Sequence, residues 1–156
     1  MLDALKALLK PSDRNAGRKT NTTKQLRGDA AESLAESFLV LQGLNLVQRN
    51  FSCRFGEIDL IMEHQQSLVF VEVRLRKALE MPVNRAFPDY SQRTIHDYGG
   101  AIESVSPAKQ RKIIRAAQFY LTTLAYEPPC RFDVVALDKL DAANIEWLRN
   151  AFDASA

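Results

Sequence analysis

Ser67–Arg76, reading SLVFVEVRLR, is the segment that most limits what this chain can become. Val69, Val71, Val73 and Leu75 fall on one side of a strand, and Leu68, Phe70, Glu72, Arg74 and Arg76 on the other. β-Branched and aromatic residues at a period of two define a strand. Both sides begin apolar, so this strand belongs in the middle of a covered sheet, with its far end emerging at a polar site. The preceding run, GEIDLIME, has the same period. It predicts Ile58, Leu60 and Met62 on one face, and Glu57, Asp59, Ile61 and Glu63 on the other. His64-Gln65-Gln66-Ser67 between them is a polar hairpin loop.

A hairpin centred between Gln65 and Gln66 sets Asp59 opposite Glu72 and Glu57 opposite Arg74. Two- and four-residue loops share this register, and a bulge breaks it. Opposed side chains sit about 4.5–5.5 Å apart at Cβ, so two facing carboxylates repel unless a positive charge lies between them. A divalent cation is the economical solution. Mg²⁺ (or Mn²⁺) takes oxygen ligands and is often held by one or two carboxylates plus phosphate oxygens. Arg74 adds a fixed positive charge that suits a phosphate. The simpler reading is a set of cross-strand ion pairs worth a few tenths of a kcal/mol. Against it stands the setting: Asp59 between Ile58 and Leu60, and Glu72 inside VFVEV. A buried carboxylate costs several kcal/mol unless it is paired or metal-bound.

The rest of the chain supplies the surroundings. Its 156 residues suit one domain, and no apolar run approaches a membrane span. Cys53 and Cys130 form no CxxC pair, which argues against zinc and suggests a reducing, cytoplasmic setting. The net charge of +2 hides a basic arm: residues 1–27 carry seven Lys and Arg against two Asp. The arm has few large apolar residues after its first turns, so it is expected to be flexible and suited to a polyanion. A helix is predicted over 29–42 with Glu32 on its flank, and a strand over 44–54. Ser106-Pro107 opens a second helix with an apolar face and a basic face of Lys109, Arg111, Lys112 and Arg115. RFDVVAL and IEWLRNAF read as two more strands. Asp133 in the first of these is expected to serve the fold, pairing with Arg131 or a helix end.

These motifs carry a resemblance. GDAAESLAESFLVLQG, QRNFSCRFGEIDLIME, SLVFVEVRLR, YGGAIESVSPAKQRKI and CRFDVVALD resemble the YraN-like family of uncharacterised bacterial proteins over roughly residues 28–152. That family is placed in the restriction-endonuclease-like (PD-(D/E)xK) superfamily, similar to archaeal Holliday-junction resolvases. The resemblance implies an α/β fold: a central mixed sheet flanked by helices, in the order α-β-β-β-α-β-β. It marks residues 77–97 as an insertion. It also implies a metal-dependent endonuclease, with Asp59 and Glu72 as metal ligands and Arg74 in the position of the superfamily's lysine. Glu32 matches an acid that often joins this site. Lys109 and Gln110 match a segment near the nucleic acid, and Arg76, Arg111 and Lys112 would contact backbone phosphates. Junction-type substrates imply a homodimer.

One departure matters. Lysine can lose its proton and help activate a water, whereas arginine stays charged. Three readings therefore stand: a nuclease acting on branched or flapped DNA, a nucleic-acid-binding module that has lost catalysis, and an adaptor whose acids form only ion pairs.

Overall fold

The computed structural model describes residues 22–76, 105–137 and 139–154. The basic arm up to residue 21 and the insertion at about 77–97 lie outside the described residues.

The first helix, α1, runs Thr23–Leu41 and begins well before the expected start at residue 29. The signal is a capping box. Thr22 Oγ accepts the Gln25 N–H at 3.3 Å, and the Gln25 side-chain oxygen accepts the Thr22 N–H at 2.9 Å. Two first-turn donors are thus satisfied reciprocally. Lys24 and Arg27, counted with the arm from composition, are helical. Ala31, Ala35 and Leu39 form the buried stripe, and Gly43 at φ +89° ends the helix.

Five strands follow in spatial order β1-β2-β3-β4-β5: β1 Asn45–Cys53, β2 Gly56–His64, β3 Ser67–Leu75, β4 Cys130–Leu137 and β5 Ile145–Phe152. The second helix, α2, spans Pro107–Leu121 between β3 and β4, with Ser106 as its N-cap. That crossover makes β3 and β4 parallel, and the other three pairings are antiparallel. The mixed sheet and the α-β-β-β-α-β-β order are those of a restriction-endonuclease-like core.

The sheet is covered on both faces, as the composition of β3 requires. Val69, Val71, Val135 and Leu137 pack with Leu60 and Met62 under α1. Phe70, Phe132 and Val134 pack under Ile113, Ala117 and Tyr120 of α2. Aromatic rings continue this second layer, with Phe70, Phe132 and Phe152 stacked at 5.6 and 5.0 Å between centroids. The hairpin register is the expected one: Leu60 faces Val71, Ile61 faces Phe70 and His64 faces Ser67. Its turn is Gln65-Gln66, both residues at positive φ (49° and 69°), as a type I′ turn requires.

The face assignment in β2 needs one correction. Ile58 does not join Leu60 and Met62; it packs with Ile61 on the α2 side. The alternation breaks at Asp59, where β2 parts from β3.

Asp133 serves the fold. It is fully buried and accepts from Arg131 Nε at 3.0 Å, Trp147 Nε1 at 3.0 Å and the Asn150 N–H at 2.9 Å. Its carboxylate ties β4 to β5 and holds Trp147, whose ring meets Phe38 of α1 edge-on at 6.2 Å. Removing one partner of a buried charged pair typically costs about 3–5 kcal/mol. Asp133→Ala is therefore expected to lower stability by about 3 kcal/mol, seen as a large drop in Tm, while Asp133→Asn loses less.

Candidate functional site

The site begins where a rung of the sheet is missing. The β2–β3 ladder stops at Leu60 and Val71. Two residues further along β3, the Val73 N–H donates to Asp59 Oδ2 at 2.7 Å, so a side chain replaces a strand partner. Neither expected rung beyond it, Asp59 with Glu72 or Glu57 with Arg74, forms in the ladder, because β2 and β3 have separated there. β1 bends at the same level: Asn50, between the Arg49–Leu60 and Phe51–Ile58 pairs, has φ +49°. A non-glycine residue in that region marks a local constraint.

The separation brings the two acids together. Asp59 and Glu72 lie close enough for each carboxyl to act on the other's proton affinity. Glu72 is only 3% exposed, on the α2 face of β3. Burial, and then the charge of Asp59, push its carboxyl up to about 7 against the pull of Lys109 and Arg74. Asp59 is also raised, mainly by burial; the Val73 N–H, Lys109 and Arg74 oppose this. Lys109 Nζ lies 3.2 Å from Glu72 Oε2, and Arg74 Nη1 lies 3.6 Å from Glu72 Oε1. Glu72 Oε2 is buried and makes no hydrogen bond; its contact with Lys109 is an ion pair without that alignment.

The other sequence-selected residues divide. Glu32 of α1 is brought near from the opposite face: burial and then Asp59 raise its carboxyl, and a hydrogen bond from Asn50 moderates the shift. Lys109, selected as lying near the nucleic acid, is also a direct partner of the acid pair. Gln110 turns inward, its amide donating to the Val105 carbonyl at 3.0 Å. Arg76 is ion-paired with Glu146 of β5. Arg111 and Lys112 lie exposed on α2. Sequence reasoning did not select Asn50, and it read Phe55-Gly56 as a turn without placing it against α2, where it stands beside Lys112. The readable signal for that turn was a glycine between two strands.

Among the described residues, no group of three or more His, Cys, Asp or Glu side chains could hold a metal. A site of two carboxylates suits a hard cation that keeps several waters and takes phosphate oxygens as its other ligands. Glu72 Oε2, which the Lys109 ammonium reaches at 3.2 Å, already sits beside one positive charge and is the oxygen such a cation would take over.

The sequence matches the model of the uncharacterised protein family UPF0102 over residues 31–137. A UPF0102 protein of Nitrosospira multiformis is 47% identical over 133 residues, covering 85% of this chain and 98% of the relative. One of Cupriavidus necator is 46% identical over 147 residues, covering 94% and 95%. The chain belongs to the UPF0102 family. Among the described residues, no helix is long and apolar enough to cross a membrane.

The raised Glu72 carboxyl has a sign in stability. Between its ordinary value of 4.5 and about 7, the native state holds a proton that the unfolded chain has released. Stability therefore falls as pH rises through that window and is level above it. In chelator, Glu72→Gln is expected to gain Tm relative to wild type from pH 4.5 to 7. A difference that does not change with pH contradicts this account of Glu72.

Proposed function

We propose that this UPF0102 protein is a metal-dependent nuclease that cuts phosphodiester bonds in branched or flapped DNA. The observation that carries the reading is the meeting of Asp59 and Glu72, from adjacent strands, in a buried setting with Arg74 and Lys109 beside them. Buried carboxyls with raised proton affinity and named cationic partners are a mark of functional sites.

Asp59 and Glu72 would hold Mg²⁺ or Mn²⁺. Such an ion, when bound, polarises a phosphodiester and makes a water acidic enough to attack it. The chain's own residues do the rest. The Val73 N–H fixes the Asp59 carboxylate and leaves its other oxygen for binding. Lys109 neutralises Glu72, and so lowers the cost of ionising it at neutral pH. Arg74 is less than half exposed, and its permanent charge can turn to an incoming phosphate and stabilise the negative charge that develops there. Glu32 adds a third acid at the α1 edge. Arg111 and Lys112 give backbone contacts, which confer affinity and salt sensitivity without reading sequence. A two-fold-related substrate would be met by a homodimer.

The second reading is a binding module on the same fold. Arg74 favours it, because a guanidinium cannot take part in proton transfer as a lysine does.

Cleavage of a flapped oligonucleotide by the full chain in Mn²⁺ tests the proposal. Asp59→Ala and Glu72→Ala are expected to lower the rate by on the order of 10²–10³-fold, with the folded circular-dichroism spectrum retained. Protein that shifts DNA in a gel but cuts with no divalent metal supports the binding module. A large gain on Arg74→Lys marks the natural site as impaired.

A further inference from the structure

The turn between β1 and β2 leans on the first two turns of α2. Gly56 allows this: a Cβ there would lie 3.2 Å from both Cβ and the carbonyl oxygen of Lys112. Backbone thus rests directly on helix. Beside this contact opens a cleft of about 400 Å³, lined by Cys53, Arg54, Phe55, Glu57, Lys109 and Lys112 among others. Three of these are cations and one is an acid, so the lining is electropositive. Lys109 also reaches Glu72, so the cleft and the acid pair share a wall.

The outer wall is a planar cation on an aromatic ring. Arg54 Cζ lies 4.6 Å from the Phe55 ring centroid, and Phe119 of α2 braces Phe55 at 5.8 Å. Phe55 and Phe119 keep 36% and 38% of their surface exposed, large values for side chains packed on each other. Cationic grooves with aromatic and guanidinium planes hold single strands, because every base has a face to stack and every linkage a charge.

We propose that this cleft seats one nucleotide of an unpaired strand, its phosphate on Lys109 and Lys112 and its base against Arg54 and Phe55. The inference rests on the acid pair being the cutting site, with which the seat shares Lys109. Size supports a single unit: a volume of about 400 Å³ is near the low end of the roughly 300–1,000 Å³ that hold one small ligand. In a duplex the bases are turned inward, and only its phosphates would reach the rim.

Cys53 lines the cleft and supplies a probe that needs no cleft substitution. In full-length Cys130→Ser protein, Cys53 is the remaining thiol. Its alkylation by iodoacetamide is followed at low salt in chelator, with an oligothymidylate or with a duplex of equal length. The single strand is expected to slow alkylation several-fold, and the duplex at the same concentration far less. In parallel, Phe55→Ala and Lys112→Glu are expected to weaken single-strand binding about tenfold by fluorescence anisotropy, and Phe55→Ala to leave duplex binding within a factor of about two. Equal protection by single strand and duplex overturns the proposal. So does unchanged single-strand affinity in both variants.

Metal-dependent cleavage separates this inference from the reading beneath it. If wild type cuts and the cleft variants bind and cut single strands as well as it does, the nucleotide seat is wrong and the nuclease stands. If single strands protect Cys53 but no metal supports cutting, the seat stands and the nuclease falls. If neither is seen, both fall.

Discussion

The Val73 N–H needs an acceptor, and the Asp59 carboxylate supplies it. A backbone donor left unpaired inside a sheet costs as much as a lost hydrogen bond. By taking over that donor, Asp59 lets β2 part from β3 after Leu60 without leaving an orphan. Around this bond Ile58 lies on the α2 side, Asn50 of β1 takes a positive φ, and the Arg54-Phe55 turn rests on α2 through Gly56.

The acid pair is expensive by itself. Glu72 is buried among apolar residues and faces a second carboxyl, so its charged form is disfavoured twice over. Lys109 and Arg74 offset part of that cost from one side only. Arg74 comes from two residues along the same strand, whereas Lys109 is delivered by a helix formed later in the chain. The acids gain a lysine although the position two residues after Glu72, which the superfamily gives to lysine, holds arginine. A fold that needed only stability would do as well with apolar side chains here, since replacing buried ion pairs by apolar residues of similar volume is often neutral or stabilising.

Much of this was legible in the sequence, for local reasons. The central place of β3 follows from its two apolar faces. The register from Leu60–Val71 to His64–Ser67 follows from the parity of a short loop, and the Gln65-Gln66 turn keeps that parity, although the ladder ends one pair short of Asp59 and Glu72. Asp133 was readable as a fold residue from its arginine neighbour. What stayed hidden was non-local or masked. The α1 capping box, Thr22 to Gln25, is present in the sequence but sits in a segment whose composition resembles a tail. The break of alternation at Asp59 depends on where a strand partner ends. Lys109 looked like one cation on a basic helix face, because nothing local says that this turn of α2 lies over the end of β3. Gln110 and Arg76 turned to partners within the fold for the same reason.

Crystals of the full chain grown with Mn²⁺, and an anomalous difference map at its absorption edge, address the central claim most directly. The account predicts a peak between the Asp59 and Glu72 carboxyls, with the Lys109 ammonium displaced from Glu72 Oε2. A map with no peak there at saturating Mn²⁺, or a Mn²⁺ site elsewhere while Lys109 still pairs with Glu72, contradicts it.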